Sequence, residues 1–356
     1  MTLRRSLFAL SVLAAATVTA IASQRQATSA PSRTTPQIVS AADAFLSSLT
    51  DAQRMQGTFA FGSSQRTGWS NLPSPMFRRN GLRLGDLMPA QRSAALALMA
   101  AALSREGYQK ITDIMNGDEV LKNAGGGRTG GRPGGGAGGG GRGGGPQFGR
   151  DEYYIALLGA PSPSAPWMIQ FGGHHLAINV TVVGSASVMT PSLPAAQPAK
   201  YMLNGQTIRP LGDENDKAFA LMATLDEGQR KQAILQYQVR DLVLGPGEDG
   251  RTIQPEGILA TALNASQQSM LLDVAHEWVG ILNDEAATAK MNEIKANLPR
   301  TYFAWSGATT NGGLAYYRIQ GPTMVIEYAP QQGDLDHIHT IYRDPTNDYG
   351  ARLTSR

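Results

Sequence analysis

Histidine is the residue type in this chain best suited to chemistry, and its placement is uneven. Four of the five histidines occur in two short segments, as the adjacent pair His174 and His175 and the near pair His337 and His339. The chain contains no cysteine, so a metal ion would have to be held by nitrogen and oxygen ligands, and thiol catalysis is excluded. The clustered imidazoles therefore predict a transition-metal site.

The spacing within each pair predicts which rings point to a common place. Side chains two residues apart lie on the same face of a β-strand, so His337 and His339 should project together. Adjacent side chains point to opposite faces, so that His174 would join a row of apolar residues and His175 a row of small and polar ones. We expect His175 to be the ligand and His174 to be a buried residue that orients it, unless the preceding glycines form a bulge that re-aims either ring.

Two carboxylates are candidates for a further ligand. Glu327 lies in the apolar stretch TMVIEYAP, where a buried acid is costly unless it is paired or bound to a cation. Asp336 directly precedes His337. The expected metal site consists of His175, His337 and His339 with Glu327 or Asp336, and His174 is a further candidate.

Residue types alone do not choose the metal. Three imidazoles and a carboxylate suit zinc or copper, and two imidazoles and a carboxylate suit non-haem iron. Such an ion would support hydrolysis through an activated water, or oxidation through copper or iron. A metal-free histidine cluster that catalyses or binds a ligand, and a hydrogen-bonded pair with a purely structural role, remain as alternatives. The fifth histidine, His276, is expected to be an ordinary boundary residue of an amphipathic helix.

The elements that must position these histidines form two similar series, which predicts an α+β fold with an internal duplication. Amphipathic helical patterns open each series. Strand-like stretches with a Pro-containing turn follow at 151–184 and 312–345, and each carries one histidine segment. We expect two related halves, residues 40–200 and 201–356, each of amphipathic helices followed by a β-hairpin, packed around a shared site.

A glycine-rich tract interrupts the first half at residues 125–149 and holds 16 of the 41 glycines. Glycine brings no side chain to bury against the entropy lost on ordering, so this tract is predicted to be a disordered surface insertion. Its arginines are also typical of RNA-binding segments, but the tract has no aromatic residue before Phe148. An interaction segment at the cell envelope is the alternative.

The amino terminus predicts export. Residues 1–22 have a basic start, a short apolar run and small residues near the end, as in a secretory signal peptide that is removed. The pair Arg4 and Arg5 is compatible with the general or the twin-arginine route. The polar segment 23–39 is expected to be a flexible lead-in, and no stable membrane insertion is expected after cleavage. The net charge of +3 is too small to indicate nucleic acid as a partner.

Two stretches carry a family resemblance. The stretch WMIQFGGHHLAINVTVVG, and YYRIQGPTMVIEY followed by HIHTIYRDPTNDYG, resemble a bacterial family described as a domain of unknown function, DUF3500. The resemblance extends over residues 41–349. It implies an exported protein, because members often carry export signals, but it implies no reaction and no catalytic residues.

Three functions are compatible with these observations. The first is a periplasmic or extracellular metal-dependent enzyme that acts on a small molecule by hydrolysis or oxidation. The second is a non-catalytic periplasmic protein that binds a small molecule or a metal ion. The third is an envelope interaction protein that uses the glycine-rich tract. Convergence of the two histidine segments in space would favour the first two.

Overall fold

The computed structural model describes residues 34–125 and 145–355. The predicted signal peptide and most of the glycine-rich tract lie outside the described residues. The first described helix begins at Thr34, inside the predicted lead-in 23–39. Within the described parts, no helix is long and apolar enough to cross a membrane.

Helices precede the long strands of both larger sheets, and several of them begin at capping residues that the sequence supplies. Thr50, Asp226 and Asn264 each accept a hydrogen bond from the backbone three residues on, where a glutamine side chain returns a bond to the cap. These boxes define where the helices start. The described helices are α1 (Thr34–Ser48), α2 (Asp51–Gly57), α3 (Pro89–Ala102), α4 (Arg105–Asn123), α5 (Gly212–Thr224), α6 (Glu227–Ala233), α7 (Ala265–Val279), α8 (Asp284–Asn297) and α9 (Ala351–Thr354).

The strands form two larger sheets and one hairpin. The first sheet contains β1 (Thr58–Phe59), β2 (Leu82–Arg83), β3 (Tyr154–Leu158), β4 (Trp167–Gly173), β5 (Leu176–Val183), β6 (Ala186–Val188) and β7 (Leu193–Pro194). The small hairpin is β8 (Tyr201–Leu203) with β9 (Gln206–Ile208). The second sheet contains β10 (Ile258–Leu259), β11 (Tyr302–Gly307), β12 (Ala315–Gly321), β13 (Met324–Pro330) and β14 (Ile338–Arg343).

The central strands of both sheets are buried along nearly their whole length. The order in the first sheet is β1-β3-β4-β5-β6, with β2 on β3 and β7 on β5, and in the second sheet it is β10-β11-β12-β13-β14. In the second sheet all neighbours are antiparallel. Strands β5 and β13 are rich in β-branched and aromatic residues, which favour strands that are covered on both faces.

One apolar core joins the helices to both sheets. Phe45 on α1 and Trp278 on α7 belong to the same buried cluster as Phe171 on β4 and Trp305 on β11. Burying a large apolar side chain of this kind contributes about 1.5–3 kcal/mol. Helices and strands therefore depend on one another, and the predicted α+β class is confirmed.

A short linking segment, residues 192–199, connects the two sheets. Ser192 and Tyr342 exchange two backbone hydrogen bonds of 2.8 Å, and Ala196 and Ile338 exchange two of 2.9 Å, so the segment runs antiparallel to β14. On its other side, β7 pairs with the start of β5. The backbone N–H of Ala195 donates to the carbonyl of His175 at 2.9 Å. The linking segment thus brings β14 to the turn that carries the first histidine pair.

Candidate metal centre

The first histidine pair forms the two-residue turn of a β-hairpin. Gly173 at the end of β4 pairs with Leu176 at the start of β5, and His174 and His175 connect them. His175 has φ of 59°, in the left-handed region that a non-glycine residue rarely adopts. Neither histidine lies in a strand, so the expectation that His174 and His175 point to opposite strand faces assumed the wrong backbone conformation. The left-handed turn, not strand alternation, aims the two rings.

Backbone hydrogen bonds hold this turn on both sides. The N–H of His175 donates to the carbonyl of Asn71 at 3.1 Å, while its carbonyl accepts from Ala195. The Arg79 guanidinium donates to the carbonyls of Ser70, Leu72 and Gly173, each within 2.7 Å. These bonds fasten the segment around Asn71 to the hairpin. The position of His175 is therefore set by three separate parts of the chain.

The second histidine pair lies at the start of β14. His339 is inside the strand and His337 immediately precedes it, so residues two apart project to the same side. Their Nε2 atoms are 3.1 Å apart. His337 is half-buried, whereas His339 is 8% exposed. The second pair thus presents two imidazole nitrogens together, one of them accessible from solvent.

Three imidazoles from the two segments converge. The Nε2 atoms of His175 and His337 are 2.8 Å apart, and one ring nitrogen from each of His175, His337 and His339 lies within 4.8 Å of the others. Two nitrogens bound to one tetrahedral zinc at about 2.0–2.1 Å would lie roughly 3.3 Å apart. Two of the three spacings, 2.8 and 3.1 Å, are close to this value, and the third lies within 4.8 Å. The residues present fit a metal ion held by three histidines.

A carboxylate orients one of the three rings. His339 Nδ1 lies 2.9 Å from Oδ1 of Asp241, and Asn71 Nδ2 lies 3.3 Å from His339 Nε2. A carboxylate and an amide NH₂ define the tautomer: Nδ1–H donates to Asp241, and Nε2 keeps its lone pair. Burial raises the pKa of Asp241, but the hydrogen bond and the charge of His339, together with the N–H of Leu242, outweigh burial, so the pKa lies below its ordinary value. This carboxylate–histidine arrangement is typical of metal ligands.

The other two rings are held in the neutral form. Burial lowers the pKa of His175 well below its ordinary value, and the neighbouring histidines lower it further. Burial, together with repulsion from His339 and His174, lowers the pKa of His337 to about 4. Metal ions bind neutral imidazole, so protons compete weakly at these two nitrogens near neutral pH.

His174 lies beside the three-histidine cluster and supports it. Its ring contacts that of His175 at a tilt of 34°, with centroids 3.6 Å apart, and its Nδ1 lies 2.6 Å from Oδ1 of Asp118. Tyr153 donates its hydroxyl to the carbonyl of His174 at 2.8 Å. His174 thus orients its neighbour by ring contact and is itself held by a buried carboxylate.

The end of the glycine-rich tract contacts Asp118 and His174. The N–H of Gly149 donates to Oδ2 of Asp118 at 2.7 Å, and the Phe148 ring lies 4.6 Å from the His174 ring. The N–H of Gln147 donates to the carbonyl of Ser74 at 2.6 Å. The carboxyl-terminal end of the predicted insertion 125–149 is therefore built into the fold next to the histidines.

Comparison with protein families identifies the chain. A family model described as "Protein of unknown function (DUF3500)" matches residues 31–351. The chain belongs to the DUF3500 family. The resemblance noted from the two histidine stretches is thus confirmed, and both stretches lie within the match. No curated protein and no solved structure matches this DUF3500 chain.

The carboxylates that the sequence suggested as ligands have other partners in this DUF3500 protein. Glu327 accepts from the N–H groups of Val243 and Leu244 at 3.1 and 2.8 Å and from the Tyr316 hydroxyl at 2.6 Å. Asp336 is exposed, and its carboxylate accepts from the N–H of Ala199 at 3.0 Å. Neither belongs to the converging group of ligand atoms. The expectation is corrected because buried donors, not a cation, satisfy Glu327.

The carboxylate that does contact the cluster was missed. Asp241 lies 98 positions before His339 in the irregular segment between α6 and β10. Nothing in the stretch QVRDLVLG indicates a metal site, because a single aspartate before apolar residues is common. The buried Glu327 bonds the backbone of the two residues that follow Leu242, and so holds the segment that carries Asp241. Glu327 therefore supports the site from a distance.

Proposed function

We propose that this DUF3500 protein binds one divalent transition metal ion through His175, His337 and His339. The observation that carries the proposal is the convergence of three Nε2 atoms from segments 162 positions apart, with the far nitrogen of one ring bonded to Asp241. Zinc, copper and iron all accept imidazole ligands, and the donor set does not choose among them.

The number of hydrogens available at the three ring nitrogens supports a cation between them. A contact of 2.8 Å between His175 Nε2 and His337 Nε2 requires one proton between two nitrogens, and the contact of 3.1 Å from His337 Nε2 to His339 Nε2 requires another. His337 Nε2 carries at most one hydrogen, and His339 Nε2 is the unprotonated nitrogen of its ring. A single cation would satisfy all three lone pairs at once.

We further propose that the site is enzymatic, hydrolytic or oxidative. Three protein ligands leave a coordination position open, which distinguishes catalytic metal sites from closed structural ones. When bound, the metal would supply Lewis-acid or redox chemistry. His337 is the half-buried member of the cluster, so a substrate would approach from its side. Buried His175 and His339 would hold their geometry, with Asp241 fixing the ring of His339.

The test is metal analysis of the wild-type protein, the His337→Ala/His339→Ala variant and the His276→Ala variant, all purified from the exported fraction. His276 is the matched control, because it is the fifth histidine and lies exposed on α7. We expect about one metal ion per chain in the wild type and the control, and none in the double variant. Negligible metal in all three, after incubation with zinc, copper or iron salts, would end the proposal.

The milder variant His337→Gln covers the case in which the double variant does not fold. Since His337 is half-buried, glutamine is accommodated there with little loss of packing. Metal retained tightly by the wild type without turnover of ester, amide or phenolic substrates would favour the non-catalytic binding protein instead. An envelope-interaction role is tested by deleting residues 126–144, which spares the contacts that Gln147, Phe148 and Gly149 make.

We propose that the protein is exported after removal of residues 1–22. The basic start and the apolar run of this segment support the proposal. Amino-terminal sequencing of protein from the periplasm and the medium tests it, and retention of Met1 would contradict it. Replacing Arg4 and Arg5 by lysine distinguishes the routes, because only the twin-arginine route depends strongly on the pair.

We also propose that the two halves arose by duplication. Gln53 and Gln91 bond each other, as do Gln229 and Gln267, and the members of both pairs are 38 positions apart. In both halves, three successive antiparallel strands follow two long helices. By this order the β4–β5 turn corresponds to the β12–β13 turn, and β14 lies beside β13 as β6 lies beside β5. The two histidine segments are therefore not at equivalent places. A superposition that fails to align β3–β5 with β11–β13 would contradict the duplication.

A further inference from the structure

A cavity of about 370 Å³ lies against the same chain segments that hold the histidine cluster. We name it the Arg240 cavity, and its wall includes Gln238, Arg240, Leu314, Tyr316 and Gln332. This volume falls in the range of sites for small molecules, about 300–1,000 Å³. The cavity is therefore large enough for a small organic ligand.

Two bonded segments connect the wall of the cavity to the metal ligands. Arg240 directly precedes Asp241, whose carboxylate bonds His339. The N–H of Gln332 donates to the carbonyl of Arg240 at 2.9 Å, and the N–H of Gln331 donates to the carbonyl of His337 at 2.8 Å. A ligand in the cavity would thus contact segments whose backbone is bonded to His337 and continues into Asp241.

The charge of the cavity wall has one sign. Arg240 is exposed, and within residues 34–125 and 145–355 its guanidinium has no hydrogen-bond or ion-pair partner. None of the described residues that line the cavity is acidic, and the hydroxyl of Tyr316 points its proton to Glu327 behind the wall. A larger cleft beside His276, of about 500 Å³, is lined by acids as well as bases. The Arg240 cavity therefore favours an anion.

We propose that the Arg240 cavity binds the anionic group of the substrate of the histidine site. This inference rests on the proposed metal-dependent function and gives it a substrate class: a small organic carboxylate or phosphate with a short apolar portion. The guanidinium of Arg240 pairs with the anion, and Leu314 and the neighbouring apolar wall cover the remainder. The end of the ligand away from Arg240 lies toward His337.

The experiment titrates the full chain with sodium hexanoate, its neutral analogue hexanamide, and inorganic phosphate, and follows binding by calorimetry. We expect hexanoate or phosphate to bind the wild type and hexanamide to bind at least about tenfold more weakly, as loss of a charge-assisted pair gives. Arg240→Gln should lower anion affinity by the same factor. Arg105→Gln is the matched control, because Arg105 lines the other cleft, and it should leave affinity unchanged.

A cobalt arm links the cavity to the histidine cluster. Protein loaded with Co²⁺ should broaden the proton NMR lines of bound hexanoate, or the phosphorus NMR line of bound phosphate. Protein loaded with Zn²⁺ should not, since only a paramagnetic ion broadens the lines of nearby nuclei. Equal anion affinity in wild type and Arg240→Gln, or binding without broadening, would overturn the inference. Failure to load Co²⁺ would sink the metal proposal separately, while the calorimetry would still decide whether Arg240 binds anions.

Discussion

The two histidine segments reach the same point in space by different backbones. His337 and His339 lie two residues apart in an extended chain, where side chains of this spacing point to the same face. His174 and His175 occupy a hairpin turn, and His175 has a left-handed φ of 59°. The second segment therefore needs only a regular strand to aim its rings. The first needs a turn whose left-handed backbone is unfavourable for a residue with a side chain, such as His175.

This difference shows that the turn with His174 and His175, not strand β14, lowers the stability of the fold. A non-glycine residue in the left-handed region costs about 1 kcal/mol or more, and such strain often persists at functional positions. The turn is held by backbone bonds to Asn71 and Ala195, while β14 is held by its ladder with β13 and the linking segment. The two segments also differ in their carboxylate partners. Asp241 bonds His339, a candidate ligand, whereas Asp118 bonds His174, the neighbour of a candidate ligand.

The largest expected effect comes from these carboxylates. Asp241→Asn replaces a carboxylate, which can only accept, by an amide that can present either its oxygen or its NH₂ to Nδ1. The tautomer of His339 is then no longer fixed, and we expect the metal affinity to fall by about 10–100-fold. Asp118→Asn should lower metal affinity less, because it acts on His175 only through the tilted ring contact of His174. Competition titration with a chromophoric chelator measures both. Asp336→Asn is the control, and Asp241→Glu should recover part of the affinity; equal losses from Asp241→Asn and Asp336→Asn would contradict the assignment of Asp241.

Glycine and alanine substitutions at positions 175 and 339 test the difference between the two backbones. At position 175, glycine relieves the left-handed strain, so His175→Gly should be more stable than His175→Ala by about 1 kcal/mol. At position 339, inside β14, glycine weakens the strand, so His339→Gly should be less stable than His339→Ala by about 0.5–1 kcal/mol. Urea unfolding of metal-free protein measures the four free energies. If His175→Gly were less stable than His175→Ala, the turn would not be strained.

A pH dependence of the metal-free protein is also expected. The folded-state pKa of His337 is about 4 and that of His175 lies well below its ordinary value of 6.5, so the unfolded chain binds protons that the folded chain does not. The contribution to stability is complete above pH 6.5 and is lost as the pH falls toward 4. In unfolding experiments with chelator, His337→Gln and His175→Gln should each flatten this decline. A decline as steep as that of wild type in both variants would assign it to other groups.

Much of the site could be predicted from residue types and spacing. The pairing of His337 with His339 follows from strand alternation, and the preference for His175 over His174 agrees with the cluster although its backbone argument was wrong. Glu327 was misassigned because a buried acid needs partners, and sequence alone does not distinguish a cation from backbone N–H groups. Asp241 and Asn71 carried no pattern at all, since their roles depend on contacts across 98 and 268 positions.

The order of amino acids sufficed for the family, the α+β class and the two histidine segments as candidate ligands, because these depend on short motifs, composition and local periodicity. Folding alone decided that the linking segment pairs with both β5 and β14, and so that rings 162 positions apart meet. Local patterns contain no information on such distant pairing, because it is the sum of many weak contacts across the core. The same sum selected Asp241 rather than Glu327 or Asp336 as the carboxylate at the site.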